Sequence, residues 1–103
     1  GDPADLGLCL SLRESDMKIT VEKPDDAKIQ EMSVLPVWEK EASTFDWEYD
    51  MEETCYLTDG DVVIRTEDGD VVEFGAGDLV IFPKGLKCVW EIRKAVRKHY
   101  VFR

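Results

Sequence analysis

The sequence predicts an all-β domain: short antiparallel strands packed as a sandwich or a barrel, with one short helix near the start. Two observations lead there. Turn signals recur from the middle of the chain at roughly eight- to ten-residue intervals: Asp59-Gly60, Asp68-Gly69, Gly75-Ala76-Gly77-Asp78 and Pro83-Lys84-Gly85. The runs between them are rich in β-branched and aromatic residues, which favour a pleated, half-buried surface. At 103 residues the chain has room for one core.

Taken in order, Met17–Glu22 and Pro36–Glu39 read as strands. Between them Pro24 to Met32 reads as a helix, with Pro24 at its start and Asp25 and Asp26 against the positive end of the dipole. The runs Glu53–Thr58, Asp61–Thr66, Val71–Phe74, Leu79–Phe82, Lys87–Ile92 and Val96–Phe102 then follow as strands. Asp59-Gly60 and Asp68-Gly69 are expected to be tight hairpin turns, because glycine adopts positive φ at little cost. Residues 1–16 read as an extension ahead of a domain spanning 17–103, and are the one stretch expected to lack order. Met17 is a candidate natural start, and the earlier residues a cloning remnant, an extension or the tail of a cleaved targeting peptide. Leu6–Leu12 is too short, and lacks the preceding basic region, to read as a signal peptide.

Strand alternation assigns faces. Trp47, Tyr49, Glu53, Cys55 and Leu57 share one parity, and Cys88, Trp90 and Ile92 share another. A carboxylate among rings and aliphatic chains is the informative member. Turned inward, Glu53 needs a metal, a hydrogen-bond donor or a proton, since an unpartnered buried charge costs on the order of several kcal/mol. Turned outward, it simply meets water.

Charge and cysteines narrow the function classes. The formal charge is −10, from 13 basic and 23 acidic residues, which argues against nucleic acid or an anionic membrane as partner. From Lys84 to Arg103 seven basic residues face only Glu91, a balance that suits either an anionic ligand or solvated outer strand faces. Cys9, Cys55 and Cys88 are odd in number and widely spaced, with no zinc-ligand spacing. A reducing, intracellular compartment is the simplest reading: cytoplasm, or an organelle such as a plastid. Phosphate-binding glycine loops, dinucleotide fingerprints and the serine nucleophile elbow are all missing from the sequence.

Glu53 and Gly60 have six residues between them, and Gly77, Pro83 and Gly85 repeat a second spaced pattern. Together with Trp47-x-Tyr49, Phe82-Pro-Lys-Gly-Leu86 and Arg97-Lys-His-Tyr100, these residues resemble the two-part signature of a cupin. The likeness is to the small single-domain cupins grouped with ureidoglycine aminohydrolase and the ethanolamine-utilisation Q protein. It implies a jelly roll (double-stranded β-helix), homodimeric as many cupins are, with a site at the barrel mouth. On that alignment Trp47 and Tyr49 fall on the two histidine positions of the first motif, Cys88 on the histidine of the second and Ile92 on its asparagine. The imidazoles that usually hold a divalent metal are therefore absent, leaving the Glu53 carboxylate and the Cys88 thiol as a degenerate metal set. His99, the sole histidine, is the remaining candidate ligand.

Expected roles follow from these positions. Glu53 is the acid/base or metal ligand, Tyr49 a hydrogen-bond donor, and Cys88 an auxiliary ligand or nucleophile. Trp47, Tyr49 and Trp90 line a pocket for a compact anionic or amide-bearing metabolite, with Lys84 as anion anchor and His99 beside it. The competing expectation is a structural or interaction domain that kept the barrel and lost the metal. A manganese enzyme resembling ureidoglycine aminohydrolase is a third, weakened by the missing imidazoles.

Overall fold

In a computed structural model the described residues are 17–103. The extension expected at residues 1–16, with Cys9 and Leu6–Leu12, lies outside them. The elements run β1 (Thr20–Glu22), α1 (Asp26–Ser33), β2 (Val37–Lys40), β3 (Ser43–Glu48), β4 (Glu53–Thr66), β5 (Val71–Gly75), β6 (Leu79–Phe82) and β7 (Lys87–Phe102). The all-β expectation with one early helix holds. Among the described residues no helix is long and apolar enough to cross a membrane.

Two long strands, β4 and β7, form an antiparallel spine from Glu53↔Phe102 to Thr66↔Cys88. The shorter strands flank it, one pair at each end. β6 pairs the first part of β4 and β5 the second; β3 pairs the first part of β7 and β2 the second. β1 extends the sheet beyond β6.

The spine corrects one expectation. Asp59-Gly60 is no hairpin: the runs on either side of it are one strand, and the register against β7 slips between Leu57 and Val62. Gly60 sits there at φ +125°, and a Cβ on it would lie 2.8 Å from Val96 Cγ2 and 3.0 Å from Val96 Cα. The position thus demands glycine twice over, for backbone conformation and for close approach. The slip reverses inward parity, from Glu53, Cys55 and Leu57 before it to Val62 and Ile64 after it. Lys87–Ile92 and Val96–Phe102 are likewise one strand. β3 is a strand beyond those expected: Trp47 and Tyr49 share parity with Glu53, yet Ser43–Glu48 pairs with β7 as a separate strand.

The other turns form where expected. Thr66 accepts from Gly69 N–H at 3.0 Å in the β4–β5 turn, Gly75 from Asp78 N–H at 3.1 Å, and Pro83 from Leu86 N–H at 3.3 Å. Helix α1 is capped by Asp25, whose carboxylate accepts the Lys28 N–H at 2.9 Å. It begins later than expected because Asp25, not Pro24, supplies the cap. Buried Met32 ties it to the barrel.

The core is mostly rings. Trp90 lies at its centre, stacked on Phe45 at 5.9 Å and edge-on to Trp38 at 6.1 Å and Phe74 at 5.8 Å. Phe82 stacks on Tyr49 at 4.8 Å and tilts against Trp90 at 5.6 Å.

Candidate functional site: a sealed ion pair and an open cavity

Glu53 is the first residue of β4 and faces inward, only 2% exposed. Its partner is Lys98 of β7, whose ammonium donates to Glu53 Oε2 at 2.6 Å. Lys98 is itself buried, and its Nζ lies 4.7 Å from the Trp38 ring centre and 4.9 Å from that of Trp90. A carboxylate and two π faces thus surround one ammonium. The demand set by an inward Glu53 is met by a lysine within the chain. No buried side-chain nitrogen or oxygen among the described residues lacks a partner.

Lys98 is not among the residues expected at the site. A lysine in a strand is normally assigned to solvent, yet the parity of Cys88, Trp90 and Ile92 continues through Val96 to Lys98. That continuation was the available signal. It also fixes His99 on the opposite face, half-buried, with Nδ1 3.0 Å from the Leu35 carbonyl. A carbonyl only accepts, so the ring donates there, away from Glu53.

Tyr49 follows β3 and is held by its backbone: its N–H donates to Leu86 O at 2.9 Å and its carbonyl accepts from Gly85 N–H at 2.7 Å. The buried hydroxyl accepts from Trp90 Nε1 at 3.2 Å. Burial, and then the nearby Glu53 charge, push its pKa far above the usual phenol range. Tyr49 at neutral pH is therefore a fixed hydroxyl and no phenolate ligand. Cys55, two residues along from Glu53, is fully buried; burial raises its thiol from 9.0 to about 12, against the lowering effect of Lys98.

Trp47 and Cys88 belong to a different environment. They are opposite each other across β3 and β7, and Trp47 is 45% exposed while touching Tyr49 edge-on at 6.4 Å. Both line an open cavity of about 610 Å³ between the ends of β3 and β4 and the start of β7. Arg65, Thr66 and Lys87 add polar groups, and Asp46, Glu48 and Glu67 add carboxylates. Arg65 is held by Glu91 at 2.5 Å. Burial raises the Cys88 thiol from 9.0 to about 11, so it is no ready thiolate. Arg65, Thr66 and Lys87 were not identified from sequence. They reach the cavity only because the spine brings the end of β4 beside the start of β7.

The predicted site residues therefore divide. Glu53, Tyr49 and Trp90 meet in the sealed interior, and Trp47 and Cys88 meet in the cavity. Lys84 is exposed in the Pro83–Gly85 turn and does not line that cavity. Two further basic residues of the C-terminal stretch are paired: Arg93 with Asp61 at 2.8 Å and Glu73 at 2.9 Å, and Arg97 with Glu39 at 3.4 Å. The resemblance implies a divalent metal, and the residues do not fit one. Among the described residues no group of three or more His, Cys, Asp or Glu side chains converges, and the Glu53 carboxylate already faces an ammonium.

The EutQ-like cupin domain family matches residues 28–100. A DUF861 family protein from Thermotoga maritima is similar in structure, with 48% identity and a TM-score of 0.81, over 84% of this chain and 100% of that one. The Clostridium difficile EutQ protein shares 32% identity at a TM-score of 0.58, over 64% of this chain and 52% of that one. A putative ethanolamine utilization protein Q from Salmonella typhimurium shares 26%, also at 0.58, over 64% of this chain and 53% of that one. The matched regions span about half of each of those two proteins. No curated protein matches the chain.

Proposed function

The chain belongs to the EutQ-like cupin domain family, and from that premise we propose that it is a metal-independent small-molecule-binding domain whose ligand lies in the cavity beside Trp47 and Cys88. One observation carries this reading. Trp47 is 45% exposed at a cavity of about 610 Å³, whereas the other large rings of the motif positions are buried. A half-exposed indole beside mixed charges suits a compact polar ligand, because a ring face and a few placed polar groups supply orientation and contact together. Lys87 is a cation for a ligand carboxylate, and the carboxylates of Asp46, Glu48 and Glu67 are acceptors for amide N–H groups. An anionic, amide-bearing metabolite is thus the favoured class.

Within this reading Glu53 and Tyr49 maintain the barrel under the cavity and do not touch the ligand. The test is a tryptophan-fluorescence screen of small carboxylates and amides, repeated with Trp47→Ala. A ligand bound by the native chain should lose at least about tenfold in affinity in that variant, the scale of one well-buried contact. Unchanged affinity in Trp47→Ala would defeat the assignment. A screen that finds no ligand would favour a structural or interaction domain, the reading supported by the ring-filled interior.

A further inference from the structure

The buried charge centre has a chemistry of its own. One carboxylate and the faces of two indoles around an ammonium are the elements that recognise an organic cation, through charge-assisted hydrogen bonding and cation–π attraction. A divalent metal wants several oxygen, nitrogen or sulfur donors instead, and indole offers none. Here the ammonium is Lys98 Nζ, 2.6 Å from Glu53 Oε2, 4.7 Å from the Trp38 ring centre and 4.9 Å from that of Trp90.

We infer that this chain has an ammonium cage in the interior of its barrel, built from Glu53, Trp38 and Trp90 and filled by its own Lys98, in place of a metal centre. The three cage residues come from three strands, β4, β2 and β7, so the site exists only in the folded barrel. The lysine stem enters from β7, where Lys98 pairs with Leu57 in register, and its head meets the carboxylate. The cage stands independently of the open cavity: its test uses stability, and a failed ligand screen leaves it untouched.

Removing the guest tests the cage. Lys98→Ala leaves a buried carboxylate unpaired and should lower Tm by about 10 °C or more. Ethylammonium chloride should raise the Tm of Lys98→Ala by at least about 3 °C through mass action, with no comparable rise from sodium chloride at equal concentration. The same salt should do nothing for Glu53→Gln/Lys98→Ala. No selective rise, or an equal rise in the double variant, overturns the inference. Should Lys98→Ala fail to fold, Lys98→Met and Glu53→Gln/Lys98→Met give the reading. The double variant should be the more stable of the two, and a double no more stable than the single overturns the cage. Manganese, nickel or zinc chloride should not shift the Tm of the native chain relative to chelator. A rise that Glu53→Gln abolishes would make the centre a metal site after all.

Discussion

The interior around Glu53 and the cavity around Trp47 use neighbouring positions of one motif for opposite ends. Tyr49 and Glu53 are each 2% exposed, whereas Trp47, two residues before Tyr49, is 45% exposed. Inside, the buried side-chain nitrogens and oxygens of the described residues are answered from the same chain, Glu53 by Lys98 and Tyr49 by Trp90. At the cavity a ring and several charged side chains meet solvent. A shared motif position therefore does not confer a shared role. The interior residues hold the barrel closed, and the cavity residues are free to meet something else.

Substitutions at the interior should have the largest effects. Trp90→Ala removes the central ring, the donor to Tyr49 and one wall around Lys98 together. It should destabilise by about 3–5 kcal/mol, the range for deleting a buried aromatic, and urea or thermal unfolding reads it directly. A loss under about 1 kcal/mol would mean that the rings are not tightly packed.

Next in size is the hinge of the spine. Gly60→Ala forces a Cβ to within 2.8 Å of Val96 Cγ2 at φ +125°, and should cost about 2–3 kcal/mol. Gly69→Ala makes the control: Gly69 also has positive φ, at +93°, but a Cβ there meets nothing within 4 Å. Its cost should be the smaller, about 1 kcal/mol. Equal losses in the two variants would show that close approach across the bulge contributes nothing.

Trp47→Ala should separate the two regions most clearly. A half-exposed ring outside the core should alter stability by about 1 kcal/mol or less while removing ligand affinity. A stability loss matching that of Trp90→Ala would place Trp47 in the core and make the interior and the cavity one region.

These regions were unequally legible in the sequence. The turns at Asp68-Gly69, Gly75–Asp78 and Pro83–Gly85 follow from local glycine and proline chemistry, so their positions could be read residue by residue. Asp59-Gly60 has the same local chemistry and a different outcome, because pairing with β7 on both sides keeps β4 extended and turns the glycine into a bulge. Parity grouped Glu53 with rings and aliphatic chains but left open whether that face turns inward; the fold turns it inward. Its partner was 45 positions away on a strand whose lysine looked solvated, and only the pairing of β4 with β7 brings the two together. The cavity was least legible, since Arg65 and Lys87 meet through tertiary register alone.

An effect absent at neutral pH concerns the two buried thiols, and its sign follows from burial. Cys88 is raised from 9.0 to about 11 and Cys55 from 9.0 to about 12, so between those values the folded chain keeps protons that the unfolded chain has released. Folding therefore binds protons in that window. Stability is undiminished by these groups below pH 9 and falls as pH rises through the window. The same shift governs reactivity, because the thiolate is the nucleophile. At pH 8 only about one in a thousand Cys88 side chains is ionised, against about one in ten for an ordinary thiol of pKa 9.0. Alkylation of Cys88 in the native chain by iodoacetamide, read at its own peptide, should accordingly be slow at pH 8 and accelerate about tenfold per pH step up to pH 10. Cys88, at the cavity wall, should label before Cys55, which reacts only on unfolding. Peptide mapping after brief alkylation distinguishes them. Prompt labelling of Cys88 at pH 7 would make its thiolate accessible at neutral pH and return the residue to consideration as a nucleophile.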